Sequence, residues 1–478
     1  MKALLLFVTG ESKMKHVAKI GSGVPGLDVV THGGLPSGRA TLVSGGPGAG
    51  KTLLGLQFLV GGVEKGEPGL LVSFEVPAEK LRHDFGSLEL PVERRLDAGL
   101  LSLKHIALPA AEPHQAGSFT LDGLFLQLER AIDEIGARRV VLDTIDILLG
   151  SFRDRATVRR EINRLVRWLE QRGITAMVTQ ERLGDGDPGH DLEEFVFDCV
   201  VFLDHRVEKE VSTRRLRVLK YRGSPHGTNE YPFLIGEDGI QVLPITKLTL
   251  DHPAPTERVS SGIEGLDELL EGKGYYRGST IQVSGSAGTG KSTLAASLAE
   301  AACARGERCL YFAFEESKDC VIRNMGSVGI SLEKWIDSGK LSFNAVRPTV
   351  WGLEQHLARM EKLVDEVEPD IVIIDPITNL VAAGELAQVR ALLMRFIAHL
   401  RAKEITCFMT YLVTRGRSRH HEDVAVSSEM DTLIALDHEP VDGGRKTLLR
   451  VVKSRGMAHS TGSFELTMDS GGAHVEPA

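Results

Sequence analysis

Cysteine is scarce in this sequence. Its five cysteines, Cys199, Cys303, Cys309, Cys320 and Cys407, are odd in number and form no Cys-x-x-Cys pair. They read as reduced, mostly buried thiols of a cytoplasmic protein. Long apolar runs are absent too. No stretch approaches the roughly 18 residues that a membrane span needs, so no membrane association is expected. Lys2 and the run Ala3 to Val8 imitate a secretion signal, but the run is shorter than the about 7–15 residues of a signal core and no small-x-small cleavage site follows. Residues 1–13 therefore read as an N-terminal extension, with Met14 an alternative start. Positive charge is not in excess either: 56 Lys and Arg face 65 Asp and Glu, for a net charge of −9. That disfavours non-specific nucleic-acid binding. The chain is no disordered polymer, since 42% of it is hydrophobic and 25% charged, and its 478 residues exceed one ordinary domain. Glycine is plentiful at 51 residues, which points to many tight turns or close approaches to a ligand.

The landmarks occur twice. Gly23-Val24-Pro25-Gly26-Leu27-Asp28 returns as Gly262-Ile263-Glu264-Gly265-Leu266-Asp267, and Gly45 to Thr52 returns as Gly285 to Ser292. Ser73-Phe74-Glu75 matches Ala313-Phe314-Glu315, and Asp143 after Val140-Val141-Leu142 matches Asp375 after Ile371 to Ile374. Lys220-Tyr221-Arg222-Gly223 with His226 matches Lys453-Ser454-Arg455-Gly456 with His459. A period of roughly 240 residues is too long for a solenoid, so each copy is expected to be a domain. The division reads as 14–248, a linker 249–256 containing Pro253 and Pro255, and 257–478. Apolar runs at 41–44, 69–74 and 139–142 predict strands. Helical spacing at 53–60, 121–135, 158–171 and 386–400 predicts helices. This alternation makes each half α/β, with a parallel sheet covered on both faces.

The motif GxxxxGK[ST] lies between a strand and a helix in both halves. Its glycines let backbone N–H groups converge on phosphate oxygens at a helix N-terminus. Gly45, Gly46, Pro47, Gly48, Ala49, Gly50, Lys51 and Thr52 form the first loop, and Gly285, Ser286, Ala287, Gly288, Thr289, Gly290, Lys291 and Ser292 the second. Lys51 and Lys291 are expected on the β- and γ-phosphates of ATP, and the hydroxyls of Thr52 and Ser292 on Mg²⁺. Asp143 and Asp375 end apolar strands, the position of a Mg²⁺-binding Walker-B carboxylate. Glu75 and Glu315, with Glu316 beside the latter, are placed to deprotonate a nucleophile. Lys220 with Arg222, and Lys453 with Arg455, sit two apart, which puts each pair on one face of a strand end and suits charge neutralisation during phosphoryl transfer.

The order Gly-x-x-Gly-Leu-Asp, Walker A, Phe-Glu, Walker B and Lys-x-Arg-Gly-x-x-His, twice in one chain, resembles the KaiC family. His32-Gly33-Gly34-Leu35-Pro36, Glu193-Glu194-Phe195-Val196 and Glu230-Tyr231-Pro232-Phe233 match it as well. The resemblance implies two tandem RecA-like P-loop NTPase domains, each a mostly parallel sheet flanked by helices. It implies a homohexameric double ring with ATP at subunit interfaces, where Lys220, Arg222, Lys453 and Arg455 reach a neighbour's nucleotide. It also implies serine autokinase activity at two adjacent hydroxyl residues of the second half, matched here by Ser427 and Ser428, and a KaiB-like or other signalling partner. Where the second half has Ser427, Ser428 and Asp431, the first has Glu194, Phe195 and Asp198. Water is then the expected acceptor in the first half, with Glu75 as base, and serine in the second, with Glu315. Two departures stand out: Val76 replaces the second glutamate of the first half, and the chain stops shortly after His459, without the tail by which clock members meet their activator.

Other features have plainer readings. His420-His421-Glu422-Asp423 lies among Arg415, Arg417 and Arg419 and lacks metal-ligand spacing, so a solvated loop is expected. Arg153, Arg155, Arg159 and Arg160 read as an exposed helix face. Ser427-Ser428 taken alone is also compatible with a polar turn. Two further functions stay open: a nucleic-acid-dependent RecA-like motor, and an ATP-controlled signalling scaffold without kinase activity.

Overall fold

A computed structural model describes residues 17–107, 121–150, 155–182, 196–208, 211–244, 254–413, 429–441 and 444–478. The chain divides into two compact units, Met1–Pro244 and Ile245–Ala478.

The main sheet of the first unit has nine strands among the described residues: β1 (Ala40–Gly45), β2 (Gly69–Ser73), β3 (Leu101–His105), β4 (Arg139–Asp143), β5 (Thr175–Glu181), β6 (Cys199–Glu208), β7 (Val211–Tyr221), β8 (Glu230–Gly236) and β9 (Gly239–Val242). Their spatial order is β9-β8-β7-β6-β1-β5-β4-β2-β3. Strands β1 to β6 run parallel, and β7, β8 and β9 extend that sheet by antiparallel pairing. The second unit repeats this plan with β10 (Thr280–Gly285), β11 (Cys309–Ala313), β12 (Leu341–Ala345), β13 (Ile371–Asp375), β14 (Thr406–Leu412), β15 (Thr432–Val441), β16 (Gly444–Ser454), β17 (Phe464–Asp469) and β18 (Gly472–Pro477). Its order is β12-β11-β13-β14-β10-β15-β16-β17-β18, the same arrangement read from the other edge. Two tandem RecA-like domains, each a mostly parallel sheet flanked by helices, are what the sequence implied.

The central strands are apolar on both faces because helices cover both. Val43, Leu71, Val141, Met177 and Val201 pack with Leu54, Phe58 and Leu59 of the helix Lys51–Val63. The alternate residues Leu42, Leu70, Val140, Val178 and Val200 pack on the opposite face with Leu128, Leu165 and Leu169. In the second unit Ile281, Tyr311, Ile373 and Phe408 face the helix Lys291–Ala304, while Leu310, Val372, Ile374 and Met409 face Leu357 and Phe396. Period-two alternation thus assigns each strand residue to one of two cores. All five cysteines are free, and all but Cys320 are buried. Arg159 and Arg160 lie exposed on the helix Arg155–Gln171. Among the described residues no helix is long and apolar enough to cross a membrane.

Candidate functional site

Each glycine loop joins the end of a central strand to a helix N-terminus: β1 to Lys51–Val63, and β10 to Lys291–Ala304. Gly50 and Gly290 precede the helices with φ of 99° and 90°, a conformation that costs a Cβ-bearing residue dearly. A Cβ would also press on the hairpin beyond, 3.0 Å from Ile235 Cδ1 in the first loop and 2.7 Å from Met468 Cε in the second. The first turn of each helix leaves N–H groups without carbonyl partners, and its dipole favours an anion there.

The lysine amines fold over these loops. Lys51 Nζ donates to the carbonyls of Gly45 and Gly46 at 2.7 and 2.8 Å, and Lys291 Nζ to that of Ser286 at 2.8 Å. Burial lowers the pKa of Lys51, opposed by the charges of Glu181, Asp143, Asp146 and Glu75. Burial likewise lowers that of Lys291, opposed only by Asp375 and Glu315. The first lysine therefore sits in the more acidic surroundings.

Asp143 ends β4 directly opposite Ser73, and Asp375 ends β13 opposite Ala313. The next residues continue that register, with Phe74 N–H donating to Asp143 O at 2.8 Å and Phe314 N–H to Asp375 O at 2.9 Å. Glu75 and Glu315 thus follow strands that lie against the aspartates. In the second unit Ser292, Glu315, Glu316 and Asp375 line one cavity with Asn324, whose Nδ2 donates to Glu316 Oε2 at 2.9 Å. In the first unit Thr52 Oγ1 donates to Asp143 Oδ2 at 3.0 Å. Hydroxyl and carboxylate oxygens beside a buried ammonium, under a row of N–H groups, fit a triphosphate and a hard divalent cation.

Sequence reasoning missed several residues here. Thr179 donates to Asp143 Oδ1, and Thr410 to Asp375 Oδ1. Both are buried and end the same way in the repeat, after Val178 and Met409, a match that a fuller alignment of the halves would have found. Asp146, whose Oδ2 accepts from Glu181 N–H at 2.7 Å, belongs to the first unit alone. Tyr311 donates to Asp375 Oδ2 at 2.7 Å, where the first unit has Leu71.

The basic pairs lie elsewhere. Lys220 and Lys453 are within β7 and β16, but these strands end at Tyr221 and Ser454. Arg222 and Arg455 fall in the following turns, because Gly223 and Gly456, each with φ of 73°, turn the chain away. The shared strand face expected from period-two spacing is therefore not formed. Arg222 pairs with Asp198 at 3.4 Å and Arg455 with Asp431 at 3.9 Å, while Lys453 Nζ donates to Met430 O at 2.7 Å. Tyr221 lies across from Cys199, which lies across from Thr41 at the start of β1. The glycine loop leaves β1 at its other end, about 13 Å further along the sheet. The structure does not bring either basic pair to the glycine loop of its own unit. Ser427, Ser428, Glu193 to Phe195, the 420–423 cluster, Arg153 and residues 249–253 of the expected linker lie outside the described residues.

Comparison with known proteins agrees with this arrangement. The family model described as "ATPase: KaiC" matches residues 20–247 and again 259–478. The circadian clock protein KaiC2 of Synechocystis sp. is 45% identical over 98% of this chain and 83% of its own length. The circadian clock oscillator protein KaiC of Picosynechococcus sp. is 34% identical over 97% of this chain and 90% of its own, and KaiC3 of Synechocystis sp. 32% over 96% and 92%. Two glycine loops on two RecA-like sheets, matched end to end by these relatives, show that the chain belongs to the KaiC family of ATPases.

Proposed function

We propose that both units bind Mg-ATP on their glycine loops, that the first hydrolyses it, and that the second transfers the γ-phosphoryl group to Ser427 or Ser428. The observation that carries this reading is the recurrence of one lysine–hydroxyl–aspartate–glutamate set at the end of both sheets, while only the second half has adjacent serines. Backbone N–H groups of the loop and Lys51 or Lys291 hold the phosphates. Thr52 with Asp143, and Ser292 with Asp375, hold Mg²⁺, which when bound neutralises phosphate charge. In the first unit Glu75 takes a proton from water as its oxygen bonds to the γ-phosphorus, and the bond to the bridging oxygen breaks to release ADP. In the second unit Glu315 takes the serine hydroxyl proton for the same displacement, with Glu316 oriented by Asn324.

Lys220, Arg222, Lys453 and Arg455 act on the nucleotide of an adjoining protomer. Their place at the sheet end away from their own loop supports this, and the assembly we propose is a closed hexameric ring, in which one subunit's far edge meets the next subunit's loop. The names of the relatives, circadian clock proteins, support a signalling output read by another protein.

Intact-mass measurement of the full chain after incubation with Mg-ATP, followed by peptide mapping, tests the reading. Phosphate on Ser427 or Ser428, lost in Glu315→Gln, is the expected result. No label there with Glu315 intact would reduce the protein to an ATPase.

A further inference from the structure

The two units differ at one buried contact beside the cation-binding pair. Strand registers are equivalent: Leu71 lies opposite Val141, two residues before the aspartate partner, and Tyr311 lies opposite Ile373 in the same way. Both side chains are fully buried on the sheet face that packs against the glycine-loop helix. Leu71 ends in methyl groups. Tyr311 continues past Ile373, stacks on Phe343 with ring centroids 4.7 Å apart, and donates its hydroxyl to Asp375 Oδ2 at 2.7 Å.

That oxygen has a different donor in the first unit. Asp143 Oδ2 accepts from Thr52 Oγ1 at 3.0 Å, while Thr179 serves Oδ1. In the second unit Thr410 serves Oδ1 and the phenol takes Oδ2. Among the described residues Ser292 makes no hydrogen bond to Asp375, although both line the same cavity. A hydroxyl that gives its proton to a carboxylate gains electron density on oxygen and becomes a stronger ligand for a hard cation. Thr52 has that support and Ser292 lacks it. The phenol is also a more acidic donor than the threonine hydroxyl on Asp143, so it draws more charge from its carboxylate.

We propose that Tyr311 is a positioning residue that uncouples Ser292 from Asp375 and so makes the second unit hold its divalent cation more weakly than the first. This rests on the Mg-nucleotide reading given above. It supplies a chemical basis for two unequal sites in one chain: phosphoryl transfer in the second unit requires a higher free Mg²⁺ concentration than hydrolysis in the first.

Mn²⁺ titrated into the full-length chain loaded with AMP-PNP, with the protein-bound fraction read by electron paramagnetic resonance, tests this without relying on turnover. Wild type is expected to show two equal classes of bound Mn²⁺ with separate affinities. Tyr311→Phe keeps the ring stack and removes only the donor, and it should tighten the weaker class by about threefold or more, the scale of one hydrogen bond, while leaving the tighter class and the metal-free AMP-PNP affinity unchanged. Tyr311→Leu, which imports the residue of the first unit, should do the same and keeps the test decisive if the phenylalanine variant folds poorly. A weaker class that is unchanged or loosened in the variant that folds overturns the proposal. Mn²⁺ that is never held by the nucleotide-loaded wild-type protein overturns the Mg-nucleotide reading with it, so the two failures are told apart.

Discussion

Asp198 and Asp431 occupy matching places just before β6 and β15, yet their arginine partners differ in origin. Asp198 pairs with Arg39 at 3.1 Å, from the turn before β1, whereas Asp431 pairs with Arg401 at 3.0 Å, from the last turn of the helix Leu386–Ala402. A shielded carboxylate needs a cation nearby but does not dictate which element supplies it. Each aspartate also meets its own Arg222 or Arg455, whose side chains are half exposed. An exposed pair of this kind contributes about 0–1 kcal/mol, and Asp198 retains Arg39 when Arg222 is removed. Arg222→Ala should therefore leave the melting temperature and nucleotide affinity unchanged while lowering ATP turnover of the first unit by about tenfold or more, if it stabilises developing phosphoryl charge. Steady-state turnover beside a binding isotherm separates the two. A different residue governs pH. Burial raises Glu361, on the helix Leu353–Val367, to about 7, helped by Asp365 and Glu354 and opposed by Arg395. An acid with a raised folded pKa costs nothing below its unfolded value of 4.5, and its penalty grows as pH rises from there to about 7 and then levels off. Glu361→Gln should thus stabilise the fold by about 1–3 kcal/mol at pH 8, with the gain vanishing toward pH 4.5 in melting experiments.

At the scale of elements, the repeated Gly-x-x-Gly-Leu-Asp phrase is a clasp. Gly23 and Gly262 have φ of 73° and 84°, and a Cβ on either would lie 2.5 Å from a carbonyl oxygen of the glycine-loop helix, Gln57 O or Ser297 O. A Cβ on Gly26 or Gly265 would press on the last strand just as hard, at 2.0 Å from Val242 O and 2.1 Å from Val475 O. Asp28 and Asp267 close the loop by accepting from the N–H of Ser22 and Ser261 at 2.9 and 2.8 Å. The phrase pins the phosphate-loop helix to the far hairpin. Gly262→Ala should lower stability by about 1–3 kcal/mol through strain and overpacking, read as a lower melting temperature with the nucleotide-loop sequence untouched. Elements of this kind explain what the sequence could and could not disclose. The apolar runs at 41–44 and 139–142 became β1 and β4, and helical spacing at 386–400 became Leu386–Ala402, because two-sided burial leaves few alternatives. The antiparallel strands β15 and β16 were harder to read, since one face carries Asp437, Arg450 and other exposed groups. Tyr311 was invisible for the opposite reason: an aromatic inside an apolar strand reads as core until its hydroxyl partner is seen.

For the whole molecule, sheet register sets the decisive constraint. The glycine loop leaves the C-terminal end of β1, whereas Arg222 follows a strand whose last residue aligns with the start of β1. On the proposed reading an arginine at that end would serve a phosphate on another copy of the chain, and the active unit would be a pair of neighbours. Mixed assemblies expose this directly. In a Lys291→Ala background, which silences the second loop, Lys51→Ala leaves Arg222 intact beside a disabled cradle, and Arg222→Ala leaves an intact cradle without its neighbour's cation. Each variant alone should be nearly inactive. Random mixing in equal amounts joins an intact cradle to an intact Arg222 at about one junction in four of a closed ring, so turnover should rise to about a quarter of that of the background protein. If Arg222 instead acted within its own chain, every protomer in the mixture would still lack one partner. Turnover would then stay at the mean of the two variants at every mixing ratio, and the shared site would be refuted.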